Sequence, residues 1–81
     1  MKAKEMFEKI GYKFNGFDKE FDYIKYSIID KEEILFWIDK KEISIYHYIV
    51  VCGILQKWDR NLTLNELNAI NQQCKELGWK K

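Results

Sequence analysis

The chain has no proline, one histidine, two cysteines and four glycines in 81 residues. Its glycines stand singly at 11, 16, 53 and 78, so it has neither the composition of a disordered linker nor a glycine-rich phosphate loop. One histidine and two cysteines fall short of the four ligands that a zinc site takes. With no signal peptide evident, Cys52 and Cys74 are expected to be reduced, structural thiols of a cytosolic protein. Cys52 in particular lies in an apolar run, where burial would raise its pKa and make it inert. That run, Tyr48 to Leu55, is the longest in the chain and too short to cross a bilayer, so no membrane partner is expected. A strong charge of one sign is also missing. The net charge is +1, and no segment has the density of a nucleic-acid-binding tail.

Catalytic chemistry is equally hard to assemble. His47, between Tyr46 and Tyr48, reads as a strand-end histidine satisfied by a hydrogen bond or water, with no partner that would make it a general base. Asp18, Glu20 and Asp22 have the alternation with which calcium loops open, but the loop glycine and closing acid are missing, which leaves a solvated acidic hairpin. No catalytic, cofactor-binding or metal-binding residue is therefore expected, and the chain reads as a non-enzyme.

What the chain does have is aromatic residues, 16% of the total, which give a single small domain over 1–81 large buried area per residue. Two phrases, Glu-Lys-Ile-Gly-Tyr at 8–12 and Lys-Glu-Leu-Gly-Trp at 75–79, read as helix stops. In each, a glycine takes the left-handed conformation and an aromatic folds back, Tyr12 onto Phe7 and Trp79 onto Cys74. The first helix puts Ala3, Met6, Phe7 and Ile10 on one face and is too short to stand without docking. The second opens on Thr63 with Glu66 three residues later, a capping box, and Leu62 and Leu67 as its staple. Its apolar stripe reads Leu64, Leu67, Ile70, Cys74 and Leu77, with Glu66 and Gln73 toward water.

Between the helices the pattern alternates as strands do. Strands are expected at 11–15, 21–29, 34–39 and 42–48, with turns at Asn15-Gly16, at 30–33 and at Lys40-Lys41. Residues 49–60 are ambiguous by periodicity, and the succession Ile49, Val50, Val51 favours strand, with a bend at Gly53. The fold class is α+β: an antiparallel meander of four or five strands flanked by an N-terminal and a C-terminal helix, both on its core face.

Ile24, Tyr26, Ile28, Ile34, Phe36, Ile38, Ile43 and Ile45 form the expected core face. The opposite face carries Tyr23, Lys25, Leu35, Trp37, Asp39, Tyr46 and Tyr48, too aromatic for ordinary solvent surface. Either 49–58 or a helix covers it, or it is an interface. The interface reading assigns partner binding to Tyr23, Leu35, Trp37, Tyr46 and Tyr48, the partner being another protein or a second copy in a homodimer. Stacking of single-stranded nucleic acid is the third reading, disfavoured because Lys25 is the one cation expected on that face.

Ala-Lys-Glu-Met-Phe-Glu-Lys-Ile-Gly-Tyr at 3–12, together with Leu-Thr-Leu-Asn-Glu-Leu-Asn-Ala-Ile-Asn-Gln-Gln-Cys-Lys-Glu-Leu-Gly-Trp at 62–79, resembles short uncharacterised proteins of Gram-positive phages and prophages. The resemblance covers the two helices and is loose between them. It implies a helix, antiparallel strands, helix order and a mobile-element origin, and brings no catalytic residues. The expected function is a small interaction protein in the host cytoplasm, its partner a host factor or defence component. The alternative is a nucleic-acid-binding accessory protein using Lys2, Lys4, Lys57, Arg60, Lys80 and Lys81. Replacing Thr63 by Ala should cost about 1 kcal/mol through loss of the helix cap, read as a lowered urea midpoint with unchanged slope.

Overall fold

The computed structural model describes residues 1–16, 20–58 and 60–79. In chain order the elements are α1 (Ala3–Lys9), β1 (Lys13–Gly16), β2 (Glu20–Tyr26), β3 (Asp30–Trp37), β4 (Glu42–Val51), β5 (Ile54–Trp58) and α2 (Leu64–Glu76). The strands form one antiparallel sheet in the order β1-β2-β3-β4-β5, a meander, with both helices on one face. The α+β class expected from the sequence is the observed one.

Both helix stops form as their glycines suggest. At the end of α1, Gly11 has φ +99°, and the Tyr12 N–H reaches the Phe7 carbonyl at 3.0 Å while the Gly11 N–H reaches Glu8 at 3.1 Å. At the end of α2, Gly78 has φ +77°, with Trp79 bonded to Cys74 at 2.9 Å and Gly78 to Lys75 at 3.1 Å. Helix α1 has no side-chain cap at Lys2. It is held instead by burying Ala3 and Phe7, and its Ala3 N–H donates to Glu76 Oε2 at 2.7 Å, which ties the first turn of α1 to the last turn of α2.

The capping box of α2 is complete, with Thr63 Oγ1 accepting from the Glu66 N–H at 3.1 Å and Glu66 Oε1 accepting from the Thr63 N–H at 2.9 Å. Its buried face keeps Ile70, Cys74 and Leu77 of the expected stripe but not its first two leucines. Glu66, Ala69, Ile70 and Gln73 turn inward, while Leu64 and Leu67 are 71% and 43% exposed. The helix is rotated because Glu66 and Gln73 each have a buried partner: Gln73 Oε1 accepts from the Tyr23 hydroxyl at 2.6 Å, and Glu66 meets Arg60 and Tyr12.

The turn at Lys40-Lys41 is where the sequence put it, but the sheet departs from expectation in its other two turns and in the parity of β2. Asn15 and Gly16 lie inside the β1–β2 ladder, opposite Asp22 and Phe21, and residues 17–19 that connect the two strands lie outside the described residues. The polar segment 30–33 is strand, not turn. The reversal occurs at Ser27–Asp30, closed by the Ser27 N–H on the Asp30 carbonyl at 2.9 Å, and leaves Ile28 and Ile29 exposed at its tip. This register sets Tyr23 opposite Ile34 and Phe21 opposite Phe36. Since side chains alternate with period two, a shift of one residue exchanges the faces of the whole strand. Phe21 and Tyr23 therefore point to the core, whereas Ile24 and Tyr26 point away, with Tyr26 68% exposed. The 49–58 stretch extends β4, bends at Cys52-Gly53 (φ +53° and +76°) and returns as edge strand β5, as the β-branched residues suggested.

The core is a stack of rings. Phe7 lies parallel to Tyr23 with centroids 3.8 Å apart, Phe21 parallel to Phe36 at 5.0 Å, and Tyr12 meets Phe7 edge-on at 5.8 Å. Ile34, Ala69 and Ile70 complete it, and Trp79 reaches the Phe36 ring at 6.3 Å. Phe7 touches three of these rings and is wholly buried. Phe7→Ala should cost about 3–5 kcal/mol, measured as loss of urea stability, which is much of what a domain this small possesses.

Candidate functional site

The face of the sheet opposite the helices is organised in cross-strand rows. One row is Tyr26, Lys31, Tyr48 and Lys57, running over β2, β3, β4 and β5. The next are Lys13, Ile24, Glu33 and Tyr46, then Asn15, Asp22, Leu35 and Ser44, and last Glu20, Trp37 and Glu42. Leu35, Trp37, Tyr46 and Tyr48 thus lie together here, as the alternation predicted. Tyr23 does not. It is 1% exposed beneath α1, so its assignment to partner binding is corrected by the register of β2.

The cations of this face were also misplaced by the sequence reading. Lys25 belongs to the helix side, where its Nζ lies 5.7 Å from the Tyr12 ring centroid. In its place Lys31 sits over Tyr26 and Tyr48 at 5.9 and 5.7 Å, Lys57 over Tyr46 at 4.2 Å, and Lys40 over Trp37 at 5.3 Å. Tyr46 and Tyr48 stack with centroids 5.8 Å apart, and the Trp37 indole N–H donates to Ser44 Oγ at 2.9 Å. These contacts hold the rings in place while leaving them partly exposed, the condition for an aromatic contact surface.

Two carboxyl groups lie among the rings. Asp22, expected in a solvated hairpin, is in a strand and only 4% exposed, and its Oδ1 has no hydrogen-bond donor. Asp18 lies outside the described residues. Beside Asp22, the Glu33 carboxyl is pushed up from 4.5 to about 7 by burial, by its hydrogen bond to Asp22 and by the Asp22 charge, against the pull of Lys31. A hydrogen bond between two carboxyls needs a proton, and Glu33 carries one below about pH 7.

The helix side has a second polar cluster, in a cleft of about 410 Å³ between the start of α2 and the sheet. Arg60 grips Glu66 with two guanidinium nitrogens at 2.9 and 2.7 Å, and its Nη2 donates to the Tyr12 hydroxyl at 3.0 Å. Tyr12 in turn donates to Glu66 Oε2. Burial alone would push the Glu66 carboxyl up. The bonds from Arg60, Tyr12 and the Thr63 N–H outweigh it and hold the group at about 2. The groups at the base of this cleft are committed to one another, and they fasten the segment after β5 to α2 and to the end of α1.

His47 lines the same cleft and lies 3.5 Å from Asp30 Oδ2. Cys52 is not buried, as its apolar neighbours suggested, but exposed at the β4–β5 turn, five residues or about 16 Å along the strand from His47. Sequence reasoning missed Lys31, Glu33, Arg60 and Glu66 as partners. Alternation could have placed Lys31 and Glu33 with Leu35 and Trp37 once 30–33 was read as strand. Family models, curated proteins and solved structures were compared with this chain, and none matches.

Glu33 and Glu66 give opposite pH dependences. Glu33 binds its proton more tightly folded than unfolded, so its contribution to stability is fully present below about pH 4.5 and lost as pH rises through about 7. Glu66 contributes above pH 4.5, and that contribution is lost as pH falls toward 2. Urea midpoints measured from pH 4.5 to 8 should decline in this window for the wild type and flatten for Glu33→Gln.

Proposed function

We propose that this chain is a small non-enzymatic interaction protein that binds a protein surface through the sheet face opposite its helices. The observation that supports it most directly is the juxtaposition of Leu35, Trp37, Tyr46 and Tyr48 on one face, half-exposed and flanked by Lys31 and Lys57. Large rigid rings with a charged margin are the composition of protein contact surfaces, and they bind at low entropic cost because few rotamers are lost. On the resemblance of its two end phrases, we place it in a phage or mobile element, acting in the host cytoplasm on a host factor or defence component. No helix is long and apolar enough to cross a membrane among the described residues.

The nucleic-acid alternative gains Lys31 and Lys57 beside Tyr48 and Tyr46, Lys40 over Trp37, and Lys13 on β1. The acids of the same face offset them. Glu20, Asp22, Glu33 and Glu42 share the face, Arg60 is spent on Glu66, and Lys4 lies over Phe14 on the helix side. Lys80 and Lys81 lie outside the described residues.

Affinity capture of the tagged chain from host lysate, with and without nuclease, tests the reading. A protein partner should survive nuclease treatment and be lost with Trp37→Lys, a variant whose circular dichroism should match the wild type. Capture that vanishes with nuclease, and oligonucleotide binding that weakens steeply with salt, would transfer the assignment to nucleic acid.

A further inference from the structure

The charges of the open face are distributed along the strands in a way that suits a second copy of the same face. At one end the row Tyr26, Lys31, Tyr48 and Lys57 has two cations and no acid. At the other end the row Glu20, Trp37 and Glu42 has two acids, with Lys40 reaching in from the β3–β4 turn. Midway between them runs the level Tyr23, Ile34 and Ile45. Three members of the basic row are as far from that level along their strands as their counterparts in the acidic row, Tyr26 and Glu20 on β2, Lys31 and Trp37 on β3, Tyr48 and Glu42 on β4, while Lys57 on β5 adds charge at the basic end without a counterpart.

We infer that the open face pairs with itself in a two-fold dimer whose axis lies in the interface, perpendicular to the strands, at the level of Ile34. This rests on the reading of that face as a protein interface and commits it to one occupant. Rotation about such an axis lays the basic row of each copy on the acidic row of the other. Lys31 then faces the second copy's Trp37, and the Tyr26 and Tyr48 hydroxyls face its Glu20 and Glu42. A two-fold axis along the strands would instead set lysine on lysine and glutamate on glutamate. The charges therefore select between the two isologous ways of stacking the sheet on itself.

The size of the face sets the expected strength. Five strands about 4.8 Å apart, each contributing a span of about 20 Å, give on the order of 1,000 Å² of flat surface shared by two copies. That is at the lower limit for a specific interface, so the dimer should be reversible and visible at micromolar to millimolar concentration.

Glu33 and Asp22 lie near the axis. Facing Glu33 are Asp22 and Glu20 from β2, Lys31 from its own strand, Tyr46 and Tyr48 from β4, and Lys57 from β5 beyond them. Stacking covers the partly exposed Glu33 carboxyl beside the already buried Asp22, which favours its protonated form, so association takes up protons and tightens as pH falls from 8 to 6.

The test is sedimentation equilibrium of the wild type, of Lys31→Glu with Lys57→Glu, of Glu20→Lys with Glu42→Lys, and of the two variants mixed in equal amounts. Circular dichroism should confirm that each is folded. The wild type should dimerise, each variant alone should bind itself at least about tenfold more weakly, and the mixture should recover a heterodimer, because both of its row contacts are again opposite in charge. A wild type that stays monomeric at millimolar concentration overturns the inference, as does a mixture no more associated than its components or a dimer that loosens as pH falls. Those failures leave the wider reading standing if Trp37→Lys still abolishes capture of a different protein. If Trp37→Lys changes neither association nor capture, both fall.

Discussion

The stack of Tyr23 on Phe7 is the contact from which the rest of the molecule follows. It buries two rings at 3.8 Å and brings the Tyr23 hydroxyl to Gln73, so a single side chain joins β2 to both helices. Parallel aromatic contacts of this kind contribute about 0.5–1.5 kcal/mol beyond the area they bury. More important is the parity it imposes. Once Tyr23 points inward, Phe21 must follow it to the core, and Asp22, Ile24 and Tyr26 must go to the other side. The chemistry of the open face is thus decided in the core.

A second constraint acts on α2. Glu66 is at once a capping-box acceptor, the partner of Arg60 and the acceptor of the Tyr12 hydroxyl. Removing one member would strand a buried charge, and such losses are costly where water cannot substitute. The helix therefore turns Glu66 and Gln73 inward and leaves Leu64 and Leu67 exposed, against the preference of its apolar residues. Polar satisfaction has prevailed over burial of two leucines because an unpaired buried carboxylate costs more than two exposed aliphatic side chains.

With both helices engaged on one side, the opposite side of the sheet is left with Trp37, Tyr46, Tyr48 and Leu35 among charges of both signs. Lysines lying over the rings hold them in fixed orientation and put charge among the apolar side chains. The buried Asp22 with Glu33 adds a group whose protonation changes near neutral pH, in the middle of that surface.

Much of the architecture was legible in the residues themselves. The left-handed glycines with their following aromatics determined where both helices end, and Thr63 with Glu66 determined where α2 begins, because these signals act within one turn of chain. Alternation located the 34–37 half of β3 and the 42–48 part of β4 and so placed Leu35, Trp37, Tyr46 and Tyr48 on one face. The parity of β2 was not legible, since Phe21, Tyr23, Ile24, Tyr26 and Ile28 offer an apolar residue to either side. Only its register with β3, set by a turn at Ser27–Asp30 whose tip is two isoleucines, decided between them. Nor was the rotation of α2 legible, because Arg60, Glu66 and Tyr12 are distant in sequence or differ in element and meet only when the sheet and helices are assembled. Local geometry was written in the sequence; the tertiary structure decided which side chains were exposed, because that depends on contacts between segments tens of residues apart.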